Sequence, residues 1–245
     1  YGHDQIYDHC SFTWGTDECF SLNNDKQPKG LYNITLQNSI LGQGCQNHSC
    51  GGLVQTSDEE GVTVFRNLFI DNKTRNFKVK GLNQFVNNVI YNWTGEGAYG
   101  AQGGSYNIIN NYYKPGPVNA AKKTHCRIFT AYVDDGKNQQ AKGVYGKFYV
   151  NGNYFETYDK LSASQKTEAA NANADNTSST AFVVKNNEIS SQNLLVSSRF
   201  PILDDYSFVQ TAQNAYKAIL QYAGASNIRD NIDKRIVCLL YTSPS

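Results

Sequence analysis

The chain has 245 residues, with 22 Lys and Arg against 21 Asp and Glu, a formal net charge of +1 and 18% charged residues. So even a balance excludes a generally basic, nucleic-acid-binding surface, and no apolar run approaches the ~20 residues of a membrane span. Seventeen Tyr and twelve Phe among many Asn and Gly suit one large strand-rich domain with polar turns, expected to be a monomer, rather than a disordered chain.

No Met occurs anywhere, so Tyr1 is not a translation start and the chain reads as N-terminally truncated, with any secretory signal out of view. From there a short phrase recurs in chain order: apolar residues, a small or amide residue, then apolar residues again, at 33–41, 64–70, 85–90, 108–113, 148–155 and 182–189. With Asn38, Asn67, Asn88, Asn111, Asn153 and Asn187 taken as equivalent, the steps are 29, 21, 23, 42 and 34 residues, and Cys10 fills the same place 28 residues earlier. The apolar runs are β-branched or aromatic and too short for helices. A coil of 21 to 23 residues with longer excursions predicts an all-β, parallel β-helix, because each coil adds strands to the one below and insertions leave as loops. Strands of adjacent coils lie about 4.8 Å apart, so identical amides in register can hydrogen-bond along the stack. The asparagines therefore read as a ladder that holds the fold.

Between the strands expected at 62–65 and 85–90 lies a basic cluster, Lys73-Thr74-Arg75-Asn76-Phe77-Lys78-Val79-Lys80. Four cations so close together in a near-neutral chain imply one local site for an anion, against the alternative of a solvated charged turn. Alternation along a strand puts Lys78 and Lys80 on one face.

The later chain changes character. Residues 115–146 read as a long excursion, with Pro115, Pro117, Lys122, Lys123 and Gly136, and 157–180 as a solvated loop. Ser207-Phe208-Val209-Gln210 has the form of a capping box, followed by Phe208, Ala212, Ala215, Ile219 and Tyr222 on one helical face and Gly224 as a stop. This predicts a β-helix over 1–200, then a segment over 201–237 whose one amphipathic helix packs on the outside of the coils. Residues 238–245 resemble the translation of a sequencing adaptor and are expected to carry no fold. Setting Cys238 aside leaves Cys10, Cys19, Cys45, Cys50 and Cys126, an odd number. Cys45 and Cys50 could close a short loop, and a zinc site at His48 lacks the CxxC pair it needs. Asn33, Asn47, Asn72, Asn92 and Asn176 each begin a glycosylation sequon, as chance allows in an Asn-rich chain.

With strands, ladder and cluster in place, the chain resembles the pectate lyases of polysaccharide lyase family one over most of residues 4–237. The resemblance rests on 6–18 with its Asp8-His9-Cys10, on Arg75-Asn76-Phe77-Lys78-Val79-Lys80-Gly81, on 88–93, on 110–117, on 145–154 and on Ala223-Gly224-Ala225-Ser226. It implies a right-handed, pectin-lyase-like parallel β-helix, secreted, that binds pectate (polygalacturonate) in an outer groove. It also implies calcium-assisted β-elimination giving 4,5-unsaturated oligogalacturonides. Arg75 matches the family's catalytic arginine, assigned there as the base at C5, although a guanidinium is normally protonated and could instead stabilise the developing charge. Lys80 falls where the family has a second, substrate-binding arginine, and Lys78 beside it would also grip uronates. Asp17 and Glu18 match a calcium-binding stretch, and hard carboxylate oxygens suit that ion. Asp8 and His9 match an Asp-His signature expected as a buried structural pair. Three departures stand out: Phe77 replaces a proline and would leave the turn after Arg75 less constrained; Cys50 stands where a substrate-binding lysine is expected; and a further pair of calcium-binding aspartates would lie upstream of Tyr1. A non-catalytic polysaccharide-binding β-helix is the alternative. A glycoside hydrolase is disfavoured, because neighbouring acids on a strand point to opposite faces.

Overall fold

The first five recurring phrases each fold as two short strands turned about a two-residue corner, whereas 182–189 is the single strand Phe182–Val184 of the third sheet followed by a short 3-10 turn. In the computed structural model, which describes residues 2–24, 30–45, 47–56, 61–118, 122–136 and 141–242, the first coil is β1 (Gly2–Asp8), β2 (Ser11–Thr13) and β3 (Glu18–Asn23). The second is β4 (Leu31–Gln37), β5 (Ile40–Gly42) and β6 (Cys50–Gln55), and the third β7 (Val62–Phe65), β8 (Leu68–Ile70) and β9 (Lys78–Lys80). Then come β10 (Leu82–Val86), β11 (Val89–Tyr91) and β12 (Ala98–Gly100), followed by β13 (Ser105–Ile109), β14 (Tyr112–Lys114) and β15 (Phe129–Ala131). The last coil holds β16 (Lys147–Asn151), β17 (Tyr154–Phe155) and, after α1 (Ala163–Ala174), β18 (Phe182–Val184). Like strands stack into three parallel six-stranded sheets, which we call A, B and C in the order the chain meets them. The result is a right-handed parallel β-helix, the hand that parallel crossovers take.

The corner between sheets A and B explains the asparagines. A left-handed residue comes first, at His9, Asn38, Arg66, Asn87, Asn110 and Gly152, and the next residue points inward. The Asn67 amide and backbone N–H both donate to Asn88 Oδ1 at 3.1 and 3.0 Å, and Asn88 donates likewise to Asn111 Oδ1 at 3.0 and 2.9 Å. Asn111 repeats this onto Asn153, and Asn153 onto Asn176. At the other end Ser39, not Asn38, continues the row, donating its N–H to Asn67 Oδ1 at 2.9 Å, and Cys10 donates to Ser39 Oγ at 3.1 Å. Asn38 instead turns outward to Asp8 Oδ1 at 2.9 Å. Asn187 is exposed and outside the ladder, whose terminal place goes to Asn176.

Side chains on the inner faces form one aromatic column, with Phe77 fully buried between Phe69 and Phe85 at centroid distances of 5.0 and 5.3 Å. From β5 to β14 sheet B is buried on both faces, which is why those strands read as largely apolar runs. On its outside Ile40, Leu68, Val89 and Tyr112 meet α2 (Ala212–Tyr222) and α3 (Asn231–Thr242). The segment before α2 covers sheet A: Phe208 packs on Phe65 at 4.9 Å, and Asn87 is bonded to the Gln210 backbone.

Several expectations change here. The 157–180 stretch is not a loop: Ser162 and Gln165 form a reciprocal cap on α1, whose Ala169 and Ala172 close the end of the inner core. In a weakly amphipathic, Ala- and Asn-rich helix that role leaves no periodic signal. Helix α2 is capped by Thr211 rather than Ser207, which is held by Asp205, and Tyr222 is 47% exposed. Among the described residues there are three α-helices, not one. Residues 238–242 continue α3, and Leu240 is fully buried under it, so this stretch has a place in the fold; 243–245 lie outside the described residues. Asp8 and His9 pair at 2.7 Å but are 39% and 40% exposed, not buried. All six cysteines are free. Of the sequon asparagines, Asn72, Asn92 and Asn176 are buried.

The ladder yields a direct test. Asn88→Ala removes the shared acceptor of two Asn67 donors and the amide that donates to the Val64 carbonyl, and at about 1–3 kcal/mol for each orphaned buried donor urea unfolding will register a loss of several kcal/mol. Asn187→Ala, exposed and outside the ladder, will change stability by less than about 0.5 kcal/mol.

Candidate active site on sheet C

With sheets A and B covered from outside, the free wall of the coil stack is the outer face of sheet C. Its register places Ser21, Leu53, Lys78, Tyr99, Thr130 and Val183 in one row across the coils. One step along, Gln55 stands beside Lys80. Val79 between the two lysines points into the core and is fully buried, so Lys78 and Lys80 do share the outer face.

Arg75 sits in the turn entering β9, in the left-handed region at φ 55°. That conformation is sparsely populated for a residue with a Cβ and persists where neighbours dictate it. The neighbours are Gly51 and Gly52. The Gly52 N–H donates to the Arg75 carbonyl at 2.6 Å, and a Cβ on Gly51 would lie 2.7 Å from that same oxygen. A Cβ on Gly52 would run into the Phe77 ring. Phe77, expected to loosen this turn, therefore anchors it by filling the core directly beneath Arg75.

The guanidinium reaches across two coils to the acids. Its Nη1 donates to Asp17 Oδ1 at 3.3 Å and to Glu18 Oε1, while Nε donates to the Tyr99 hydroxyl at 2.9 Å. Asp17 and Glu18 thus serve one partner instead of pointing to opposite faces. Asp17 precedes the first residue of β3, so strand alternation does not govern it. Asp17 is also 3.2 Å from His48 Nδ1. Burial pulls the Arg75 pKa down, but the Tyr99 hydroxyl, Cys50 and Glu18 more than offset it and hold the group above its ordinary value. Lys78 moves the other way, lowered first by burial and then by the nearby charges of Arg75 and Lys80. Burial pushes the Cys50 thiol up, so where a lysine was expected there is a neutral group. Lys80 is 9% exposed and lies 3.1 Å from Asp134 Oδ2, whose other oxygen accepts from the Gly136 N–H at 2.7 Å. Asp134 follows β15 and thereby ties the connection leaving sheet C to the wall; 115–146 is not one excursion, because Phe129–Ala131 within it is a strand of that sheet.

Two of these residues escaped the sequence reading, Tyr99 and Asp134, while His48, weighed there only as a zinc ligand, is instead beside Asp17. Tyr99 and Asp134 lie 24 and 54 residues from their partners, and neither belongs to a motif. Gly51-Gly52 was a usable signal of close backbone approach.

Calcium takes six to eight oxygen ligands. Asp17 and Glu18 fit it in donor type, and among the described residues no three His, Cys, Asp or Glu side chains converge on one point. The chain would supply only part of a calcium shell.

No family model matches the chain. Curated fungal proteins do. It is 39% identical over 243 residues to a probable pectate lyase C of Aspergillus flavus, 39% over 244 to that of Neosartorya fischeri, and 35% over 239 to that of Emericella nidulans. Each alignment takes in 96% of this chain but only 47–48% of the relative, so the chain spans about half the length of the curated proteins it matches. This chain, a three-sheet parallel β-helix carrying a guanidinium and two carboxylates on its open wall, is thus similar over nearly all of its own length to about half of each of these probable pectate lyases.

Proposed function

We propose that this chain is the catalytic part of an extracellular pectate lyase that cleaves polygalacturonate by calcium-assisted β-elimination. The observation that carries the reading is the meeting of Arg75, Tyr99, Asp17 and Glu18 on one outer wall beside Lys78 and Lys80. In the elimination a solvent base takes the C5 proton, the bond from C4 to the leaving oxygen breaks with that oxygen taking up a proton from water, and a C4–C5 double bond forms, with no net gain or loss of protons. Charge then grows on the uronate carboxylate next to C5, and fixed cations aimed there lower the barrier. Arg75 is the catalytic residue. Its partners keep it protonated, so in this arrangement it acts as the cation that stabilises the enolate-like charge. Tyr99 fixes the plane of its fork. Lys78 and Lys80 bind substrate carboxylates as point charges, with Lys80 held in place by Asp134. Asp17 and Glu18 would hold calcium together with a uronate carboxylate. A bound calcium ion supplies Lewis-acid neutralisation of that carboxylate.

A second reading, a polysaccharide-binding β-helix without catalysis, is favoured by one observation: Cys50 replaces a cation. Ultraviolet absorbance of unsaturated ends, formed from polygalacturonate with calcium, separates the two. Absorbance should rise, and Arg75→Ala should lower the rate by about 10³-fold with binding largely kept, the scale seen on removing one charge-stabilising donor. Binding without any rise would decide for the second reading. Chelation should abolish the rise and re-addition of calcium restore it; an unaffected rate would remove calcium from the scheme.

The lowered Lys78 pKa fixes a pH dependence. A lysine whose pKa is lowered loses its charge earlier as pH rises, so affinity for polygalacturonate will fall on the alkaline side below the ordinary lysine value of about 10.4. Titration calorimetry across pH should show this fall in the wild type and a later one in Lys78→Arg.

A further inference from the structure

Lys73 is the member of the basic cluster that the elimination site leaves unused. It lies two residues before Arg75, in the turns that lead into sheet C, and those turns are themselves stacked. The Lys73 N–H donates to the Ser49 carbonyl at 2.7 Å, and the Lys73 carbonyl accepts from Thr94 N and Oγ1 at 3.1 and 2.9 Å. Beside this rung a cleft of about 550 Å³ opens, lined among others by Ser49, Asp71, Asn92, Thr94 and two lysines, Lys73 and Lys122. It adjoins the Arg75 site directly, because Cys50 pairs with Thr74 immediately next to Ser49 and Lys73.

The cleft is built rather than accidental. Asp71 Oδ1 accepts from the Asn92 amide at 2.7 Å, and Asn92 Oδ1 accepts from the Val118 N–H at 2.9 Å, which brings the excursion bearing Lys122 to the rim. The Lys73 ammonium donates to the Asn47 carbonyl at 2.9 Å, a neutral partner, and Lys122 is exposed. Two cations therefore face a hollow whose one lining carboxylate is already engaged by an amide. Hydroxyls of Ser49 and Thr94 and the Asp71 carboxylate supply polar contacts between them.

We propose that this cleft is a further subsite for one uronate residue of the polymer that lies over Arg75, its carboxylate between Lys73 and Lys122 and its hydroxyls toward Asp71 and Thr94. The assignment rests on the pectate lyase reading for the identity of the polymer. Reductive methylation, followed residue by residue by mass spectrometry, tests it on the intact chain. Saturating polygalacturonate should slow modification of Lys73 and Lys122 by about tenfold, leave the remote, exposed Lys160 and Lys217 unchanged, and protect far better than polyglutamate, which has carboxylates but no sugar hydroxyls. Unchanged rates at Lys73 and Lys122, or equal protection by polyglutamate, would overturn the subsite. Unprotected lysines with unsaturated product still forming would remove the subsite alone; protection without product would remove the elimination chemistry alone. As an independent measure, K73Q/K122Q should weaken polygalacturonate binding by about tenfold while K160Q does not, and equal affinities would again reject the subsite.

Discussion

The asparagine ladder at the corner between sheets A and B is the constraint on which the rest depends. Each rung satisfies a backbone N–H, a side-chain amide and a carbonyl of a neighbouring coil at once. Buried amides with every partner supplied are rigid because a one-residue slip would leave all of them unpaired in a low-dielectric interior. The ladder therefore fixes the register of each coil on the next. Register at that corner propagates around the coil to sheet C, where Lys78 must stand opposite Tyr99 for Arg75 to reach it. A side-chain network some distance from the chemistry thus sets the spacing of the chemistry.

The second constraint is electrostatic. Arg75 is mostly buried and would be costly to keep charged without partners. Glu18, Asp17 and Tyr99 provide them, so the wall at rest is largely self-neutralised. Any anion that reaches the guanidinium has to exchange places there with Asp17 and Glu18. The half-exposed Asp17 can turn away more readily than Glu18, whose side chain is 11% exposed. Lys80 takes no part in this exchange, since Asp134, with a fully buried side chain, holds it from beneath.

How much of this was legible in the sequence follows from the range of the interactions. The repeat phrase was readable because two adjoining residues do all the work at each corner, one in the left-handed region and one facing inward. For the same reason Asn38 and Ser39 were exchanged: where Asn precedes Ser, the amide suits either task, and only bonds to other coils, from Cys10 to Ser39, from Ser39 to Asn67 and from Asn38 to Asp8, separate them. The strands of sheet B and the cluster around Arg75 were legible as apolar runs and as charge. Helix α1 was not, because an Ala- and Asn-rich segment that caps a stack needs small residues and amides rather than an apolar stripe; Asn173 bonds both backbone groups of Phe155. Ser207 read as a helix cap although its hydroxyl serves a local turn with Asp205, the competition such residues always offer. Asp134 and Tyr99 could not be found at all, since nothing local marks a residue whose partner arrives from another coil.

The placement of the site on sheet C follows from these same physical limits. The corner between sheets A and B is two residues long and locked by the ladder, so it cannot accept insertions without breaking the row of amides. The connections into sheet C have no such row. They vary from the short turn at 14–17 to the connection at 156–181 that holds α1, and some end in left-handed or glycine-dependent conformations, as at Arg75 and Gly51-Gly52. Sheets A and B, meanwhile, need cover for their outward apolar residues, and the chain after residue 200 supplies it with Phe208, Ala215, Ile219, Ile236 and Leu240. A wall that needs no cover, bordered by turns free to vary, is where polar groups can be set facing solvent without cost to the core. That is the wall on which the cations and acids of this chain converge.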